Sequence, residues 1–247
     1  MPYSKMRAEV QELLRRLGYR MVPYEYTLPY RRVAALRARG VELLVDVGAG
    51  RGIWASEVRR AGYMGDILSL EPLTAPYSQL ERRAHRDARW RCKRVAVGAE
   101  QGVLTMNVSR ETGWSSALPL VEITVRAAPE AQYVGAETVP VATLDEIVES
   151  DTARDARLAV KVDVQGFEFS VLQGATRSLA RADVFEIEVS VEQVYEGQWL
   201  WRDVFDRVEG FGLAPAWIEP CRFFDPDTGR ALQLNALFVR PGRTGQP

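Results

Sequence analysis

The chain has 247 residues, 47% of them hydrophobic and 26% charged, with a formal net charge of −1. That length holds one large globular domain with a full core, and the near-neutral balance argues against a nucleic-acid partner, which calls for a basic excess. Cys92 and Cys221 stand alone and far apart, which excludes a disulfide framework or a zinc spacing; no apolar run reaches the ~18 residues of a membrane span and no apolar leader opens the chain, so a cytoplasmic location is the expectation.

Residues 1–40 read as an N-terminal helical cap. MRAEVQELLRRLG (6–18) and YRRVAALRARG (30–40) are amphipathic and each ends on a glycine, the usual C-terminal signal. Their arginines (Arg15, Arg16, Arg31, Arg32, Arg37 and Arg39) read as a solvated face. From residue 41 strands and helices alternate: VELLVDVG, then GIWASEVRRAG; DILSLEP, then APYSQLERRAHRD; RWRCKRVAVG as a third strand. Residues 99–156 break the rhythm and read as an insertion lining the substrate site. Residues 157–240 resume it with RLAVKVDV, the single helix FEFSVLQGATRSLARA, DVFEIEVS, the helix WLWRDVFDRVEGFG, and the strands LAPAWIEP and LQLNALFVR. The tail RPGRTGQP reads as disordered. Such alternation predicts a mostly parallel sheet with helices on both faces. The link FFDPDTGRA is too short for a crossover helix, so the last two strands pair antiparallel.

DVGAGRG (46–52) follows a strand and opens a helix, the context in which a glycine turn cradles a ligand. Its third glycine falls one residue early for a dinucleotide fingerprint, and the lysine of a phosphate loop is absent. Asp46 would repel a pyrophosphate but suits a cationic ligand. Glu71, at the end of the next strand, stands where an acid grips ribose hydroxyls. Structural alternatives are a solvated or capping role for each.

Several segments together resemble the FkbM family of S-adenosylmethionine-dependent methyltransferases: DVGAGRG, LSLEPL, RVAVG, TVPVATLDEI, VKVDVQGFEFSVLQGA, IEVSVEQVYEGQ and FFDPDTGRALQLNALFVR, in the family's order over most of residues 41–240. The resemblance implies a class I methyltransferase (Rossmann-like) fold, with a mostly parallel seven-stranded sheet and an antiparallel last strand. It implies S-adenosylmethionine as methyl donor and a hydroxyl on a small molecule (sugar, glycolipid or secondary metabolite) as acceptor. Asp46, Gly48, Ala49 and Gly50 then meet the methionine part, Glu71 the ribose, and Pro72, Leu73, Val95 and Ala96 the adenine. One departure stands out: many members have Glu where this chain has Gln165.

Hydroxyl methylation gains from alignment and from a base near the acceptor. His85, the one histidine, lies in a polar stretch and reads as a surface residue. Asp163 and Glu188 end strands at the side of the sheet where ligands bind, and they are the candidate bases. Asp163 could instead cap the helix that follows, and Glu186 and Glu188 could both pair with arginines under the cap. A divalent metal on Asp163 is the less favoured reading, since no second oxygen ligand stands beside it. Trp114, Ser115 and Ser116 of ETGWSSALP, with Gln165 and Tyr195, are the candidate acceptor contacts; a buried turn and core packing are the alternatives. An RNA or protein methyltransferase, an NAD-dependent oxidoreductase and a non-catalytic module are the rival functions. The acceptor's identity and the oligomeric state, a homo-oligomer included, stay open at this level.

Overall fold

Two strands made almost wholly of aliphatic residues form the centre of the molecule: β1 (Leu43–Val47, LLVDV) and β7 (Leu158–Val162, LAVKV), with every residue buried. Strands covered on both faces need such composition. In the computed structural model, which describes residues 2–151 and 156–242, they pair in parallel. Around them lie β2 (Asp66–Leu70), β3 (Trp90–Lys93), β8 (Val184–Ser190), β9 (Ala214–Pro220) and β10 (Gln233–Val239) in a seven-stranded sheet of order β3-β2-β1-β7-β8-β10-β9. The tail expected to be disordered lies, from residue 243 on, outside the described residues.

Helices cover both faces. On one, Val45, Val47, Val160, Phe185 and Ile187 pack against α6 (Leu144–Asp151), α7 (Glu168–Gln173), α8 (Thr176–Arg181) and α9 (Trp201–Glu209). On the other, Leu44, Ile67, Ala159, Val184 and Leu237 pack against α2 (Leu28–Ala38), α3 (Ile53–Arg60) and α4 (Thr74–Ala84). α1 (Pro2–Arg16) precedes α2. β10 lies between β8 and β9 and runs antiparallel to both. The antiparallel pairing of the last two strands is as expected, and β10, last in sequence, is inserted between its neighbours.

The second face carries one polar row. Ser69, Asp46, Lys161 and Glu186 are register partners on β2, β1, β7 and β8, and all four are buried. Alternation fixes this: residues two apart share a face, so Asp46 sits beside Leu44 and Lys161 beside Ala159.

Residues 96–142 leave the main sheet. The expected third strand splits at Lys93, and Ala96–Val97 becomes β4, which pairs with β6 (Tyr133–Ala142) in a three-stranded sheet completed by β5 (Gly102–Ser109). Ala96 packs there with Leu73 and Val139, and Leu104 and Met106 of β5 lie against them; that burial draws the chain off the sheet edge. Between β5 and β6 lies α5 (Glu122–Ala127).

The helix expected over FEFSVLQGATRSLARA is broken in two. Asp145 of α6 explains the break: its carboxylate accepts the backbone N–H groups of Arg177 at 2.9 Å and Ser178 at 2.7 Å, capping a fresh helix start. Gly174 provides the room, since a Cβ there would collide with the Gly98 carbonyl oxygen. We predict that Gly174→Ala costs about 3 kcal/mol, the upper range for forcing an atom into a packed interior, seen as a lower urea midpoint with an unchanged slope.

Candidate active site

β1 ends in Gly48-Ala49-Gly50, and the glycines take left-handed φ of 75° and 54°. Gly48 has a second constraint: a Cβ on it would run into the Asp163 carbonyl oxygen. The loop thus lies against the end of β7, and a cavity of roughly 370 Å³ opens beside it. Gly50 lines that cavity and has nothing within 4 Å of an added Cβ. Glu71 holds the loop in place. One oxygen accepts Gly50 N–H at 2.8 Å and the other Leu73 N–H at 2.9 Å. Pro72, Leu73, Val95 and Ala96 form an apolar wall, with Leu104 and Met106 from β5.

Asp46 lies beneath the cavity rather than on it, fully enclosed and outside the lining. Its Oδ2 accepts from Ser69 Oγ at 3.3 Å, which in turn accepts from Trp90 Nε1 at 3.0 Å. Its Oδ1 has no hydrogen bond and faces Lys161 Nζ at 3.4 Å. Burial pushes the Asp46 carboxyl upward and the lysine opposes that shift.

Lys161 does line the cavity. Its Nζ also meets Asp163 Oδ2 at 3.3 Å and lies 5.5 Å over the Trp54 ring. Burial alone would lower its pKa; Asp163, Asp46 and Glu186 together raise it, so the ammonium is charged. Arg32 of α2 makes a two-pronged ion pair with Glu186 and stacks on Trp54 at 4.6 Å. Trp54 Nε1 donates to Glu186 at 3.3 Å.

Asp163 follows Lys161 by two residues and reaches the cavity. It is no helix cap. The carboxylate that accepts the N–H groups of Val164 (3.4 Å) and Gly166 (3.1 Å) is that of buried Glu168. Asp163 Oδ1 instead accepts Gln165 Nε2 at 2.7 Å. Among the described residues Gln165 is the non-glycine residue with positive φ, 54°, a conformation that persists only where surroundings impose it. Here they do. Its Nε2 donates a second bond to Glu188 Oε2 at 3.0 Å, its Oε1 accepts Tyr195 Oη–H at 2.7 Å, and its carbonyl accepts Ser116 Oγ–H at 2.5 Å.

Glu188 sits behind Gln165 and outside the lining. It accepts from Gln233 Nε2 at 2.8 Å and from the Cys221 thiol at 3.4 Å. Burial first, then Asp163 and Glu168, push its carboxyl well up. The two glutamates of β8 therefore part: Glu186 pairs with an arginine of the cap, and Glu188 is held by amides and a thiol.

Of the remaining sequence candidates, Ser115 and Gln165 line the cavity while Trp114, Ser116 and Tyr195 do not. Trp114 packs its ring on Phe223 at 4.6 Å, and its carbonyl accepts Tyr195 Oη–H at 3.3 Å. Tyr195 is fully buried. Lys161, Glu168 and Trp54 were not among the sequence candidates. A lone lysine inside an apolar strand, two residues before Asp163, was the available signal for the first. Among the described residues no group of three or more His, Cys, Asp or Glu side chains is placed to hold a metal ion, and no helix is long and apolar enough to cross a membrane.

A mostly parallel sheet closed by an antiparallel strand, with a glycine loop and a buried acid at the carboxyl ends of β1 and β2, defines a class I methyltransferase. The Methyltransferase FkbM domain matches residues 46–221, and the chain belongs to the FkbM family of S-adenosylmethionine-dependent methyltransferases. Methyl transfer thereby replaces the oxidoreductase and non-catalytic readings. No curated protein matches the chain. Similar solved structures include the 1,6-didemethyltoxoflavin N1-methyltransferase of Burkholderia thailandensis, solved with 1,6-didemethyltoxoflavin and S-adenosylhomocysteine (12% identity, 88% of this chain and 80% of that one, TM-score 0.44). Another is the magnesium protoporphyrin IX methyltransferase of Synechocystis PCC 6803, with S-adenosylmethionine (12%, 86% and 77%, 0.46). A third is a TehB-like methyltransferase of Corynebacterium glutamicum (17%, 97% and 98%, 0.41).

The site also sets a pH dependence. Burial pushes the carboxyls of Glu71 and Glu168 from the ordinary 4.5 up to about 7. Between those values the folded protein binds more protons than the unfolded chain. This contribution to stability is full below 4.5 and is lost as pH rises through 7, by ~1 kcal/mol per pH unit and group. Glu168→Gln keeps an oxygen for the two N–H groups. We expect it to remove one group's share of the slope in urea titrations run across that window.

Proposed function

We propose that the cavity binds S-adenosylmethionine along the Gly48–Gly50 loop and that the enzyme methylates a hydroxyl group on a small molecule, with Asp163 as the proton acceptor. One observation carries the reading: of the two candidate bases Asp163 and Glu188, Asp163 is the one that reaches the cavity, and it is clamped from both sides, by Lys161 at 3.3 Å and by Gln165 at 2.7 Å.

The donor's charge and shape fit these residues. Asp46, Lys161 and Asp163 together carry one net negative charge, the complement of a sulfonium. Each oxygen of Glu71 has one lone pair taken by a backbone N–H and keeps another for a ribose hydroxyl. Pro72, Leu73, Val95 and Ala96 offer the adenine an apolar slot, and the open space at Gly50 admits the methionine chain.

When bound, S-adenosylmethionine supplies an electrophilic methyl group on a sulfur that leaves readily. Catalysis by the protein then consists of alignment and of taking the acceptor's proton. Gln165 fixes the Asp163 carboxylate, and Ser115, Leu104 and Met106 line the same space. Glu188 does not reach that space; it positions Gln165 through the second proton of the same amide. An acidic site within a chain of net charge −1 suits an uncharged or cationic acceptor and repels an RNA backbone. A small-molecule acceptor and a cytoplasmic location belong to this proposal.

Two variants separate donor binding from chemistry. Glu71→Ala is expected to weaken S-adenosylhomocysteine binding by about 100-fold, the scale of hydrogen bonds to a charged group, measured by calorimetry. Asp163→Asn should retain donor affinity within about tenfold and lower kcat by ~10²–10⁴ on hydroxyl acceptors, read as S-adenosylhomocysteine release. Full turnover by Asp163→Asn would remove the proton-acceptor role, and methyl transfer to RNA or to a peptide would remove the small-molecule reading.

A further inference from the structure

The N-terminal cap leaves an apolar surface uncovered. Along α1 and in the turn just past its end, Met6, Val10, Leu13 and Leu17 recur at the three- and four-residue spacing of one helix face. They are 53%, 41%, 60% and 64% exposed. The chain then continues through Tyr19, Met21, Val22, Tyr24, Tyr26 and Tyr30, each at least 40% exposed. Exposed apolar residues scattered singly need no explanation, but a contiguous run of this kind marks an interaction surface. Neither the cavity nor the core absorbs these residues.

Charge identifies what covers them. Residues 1–40 carry nine basic side chains against three acidic ones, while the rest of the chain carries 23 against 30. The excess is thus confined to the segment that bears the apolar stripe. Arg32 is consumed by Glu186 inside the fold; Arg15, Arg16 and Arg20 are exposed, and the first two share a single acid, Glu12, so positive charge is left over on this face. A second copy of the chain docked through the same face would set this basic segment against itself, and like charges would oppose the apolar gain. An anionic lipid surface reverses that sign. Leucine and methionine on one face, arginines beside them and tyrosines at the margin are the composition of a helix lying in the interfacial plane. At 15 residues α1 is too short to span the ~20-residue hydrocarbon core, so it lies on the bilayer rather than through it.

We propose that residues 6–30 dock this enzyme on an anionic membrane surface, with the α1 stripe in the headgroup–acyl boundary. α2 joins this segment to the active-site side of the sheet, since Arg32 stacks on Trp54 and Trp54 lines the cavity. The docking segment therefore runs on into α2, which packs against the helix that carries Trp54. The inference is independent of the acceptor assigned above.

Flotation of the full-length protein with vesicles tests it, using phosphatidylcholine alone and phosphatidylcholine with about one-third phosphatidylglycerol. The expected result is binding to the anionic vesicles that weakens as salt is raised, with little binding to the zwitterionic ones. Leu13→Glu and Leu17→Glu should each reduce binding by at least about tenfold, the scale of withdrawing one leucine side chain from an apolar phase. Both should keep S-adenosylhomocysteine affinity and the thermal midpoint of the parent. Absence of binding to anionic vesicles, or equal binding to both compositions, would overturn the proposal. So would a concentration-dependent dimer that Leu13→Glu dissociates, which would give the face to a second copy.

Discussion

Lys161 stands in the middle of a strand that is otherwise wholly aliphatic, 6% exposed, and the site is arranged around its charge. A buried ammonium costs several kcal/mol of lost hydration and persists only where carboxylates surround it closely. Register supplies two of them: Asp46 is its neighbour on β1 and Glu186 its neighbour on β8. Period-two alternation supplies the third, Asp163, on its own chain. Arg32 then balances Glu186 from above. The result is a row of alternating sign across the sheet, Asp46, Lys161, Glu186, Arg32, roofed by Trp54. Such a row adds little net stability, because desolvation offsets attraction. It does specify register: a one-residue slip of β7 would move Lys161 to the opposite face, among Val45 and Val47 of β1 and Phe185 and Ile187 of β8.

The same alternation carries the polar row to the edge where ligands bind. Asp163 lies two residues beyond Lys161, and Glu188 lies two beyond Glu186. At that edge strand pairing ends, and two carboxylates come close enough to repel. Gln165 resolves the conflict. One amide group gives a proton to each acid, and its oxygen takes the tyrosine hydroxyl. The carboxyl of a glutamate in its place would be a third acid facing the other two, and even with a proton it would have one O–H to give, enough for one of them and not for both. This explains in physical terms why the departure from the common family residue leaves an intact network: what the position requires is a double donor with one acceptor. The positive φ of Gln165 is the local cost of aiming that amide.

The sequence made the architecture legible because its strongest signals are periodic. Alternating strands and helices fixed the parallel sheet; the short final connection fixed the antiparallel pair; the glycine loop and Glu71 fixed one end of the cavity. What escaped were features that depend on long-range contact. The break between α7 and α8 is invisible in FEFSVLQGATRSLARA, since it is imposed by Asp145 from another helix and by the Gly98 carbonyl. The departure of β4 from β3 answers to burial against β6, some forty residues later. The capping role weighed as the alternative for Asp163 is filled by Glu168, which local patterning places within the helix and not before it. Trp114 and Tyr195 carried the right neighbourhood but the wrong direction, because aromatic residues in a loop give no sign of which side they bury.

Charge accounting joins donor binding to chemistry on the proposed reading. Before reaction the cavity opposes one net negative charge, from Asp46, Lys161 and Asp163, to a cationic donor. By accepting the hydroxyl proton Asp163 loses its negative charge in the same conversion in which the cavity loses the donor's positive one. Two opposite charges held apart by the cavity become neutral together, and Lys161 remains balanced by Asp46 alone. The pairing that attracted the sulfonium is then gone, so the product, whose sulfur is now neutral, is no longer held by charge at that point. Here the position of Lys161 matters more than its charge. Touching both acids, it lets one of them change protonation state without leaving a buried ammonium unpaired, which would otherwise cost about 3–5 kcal/mol.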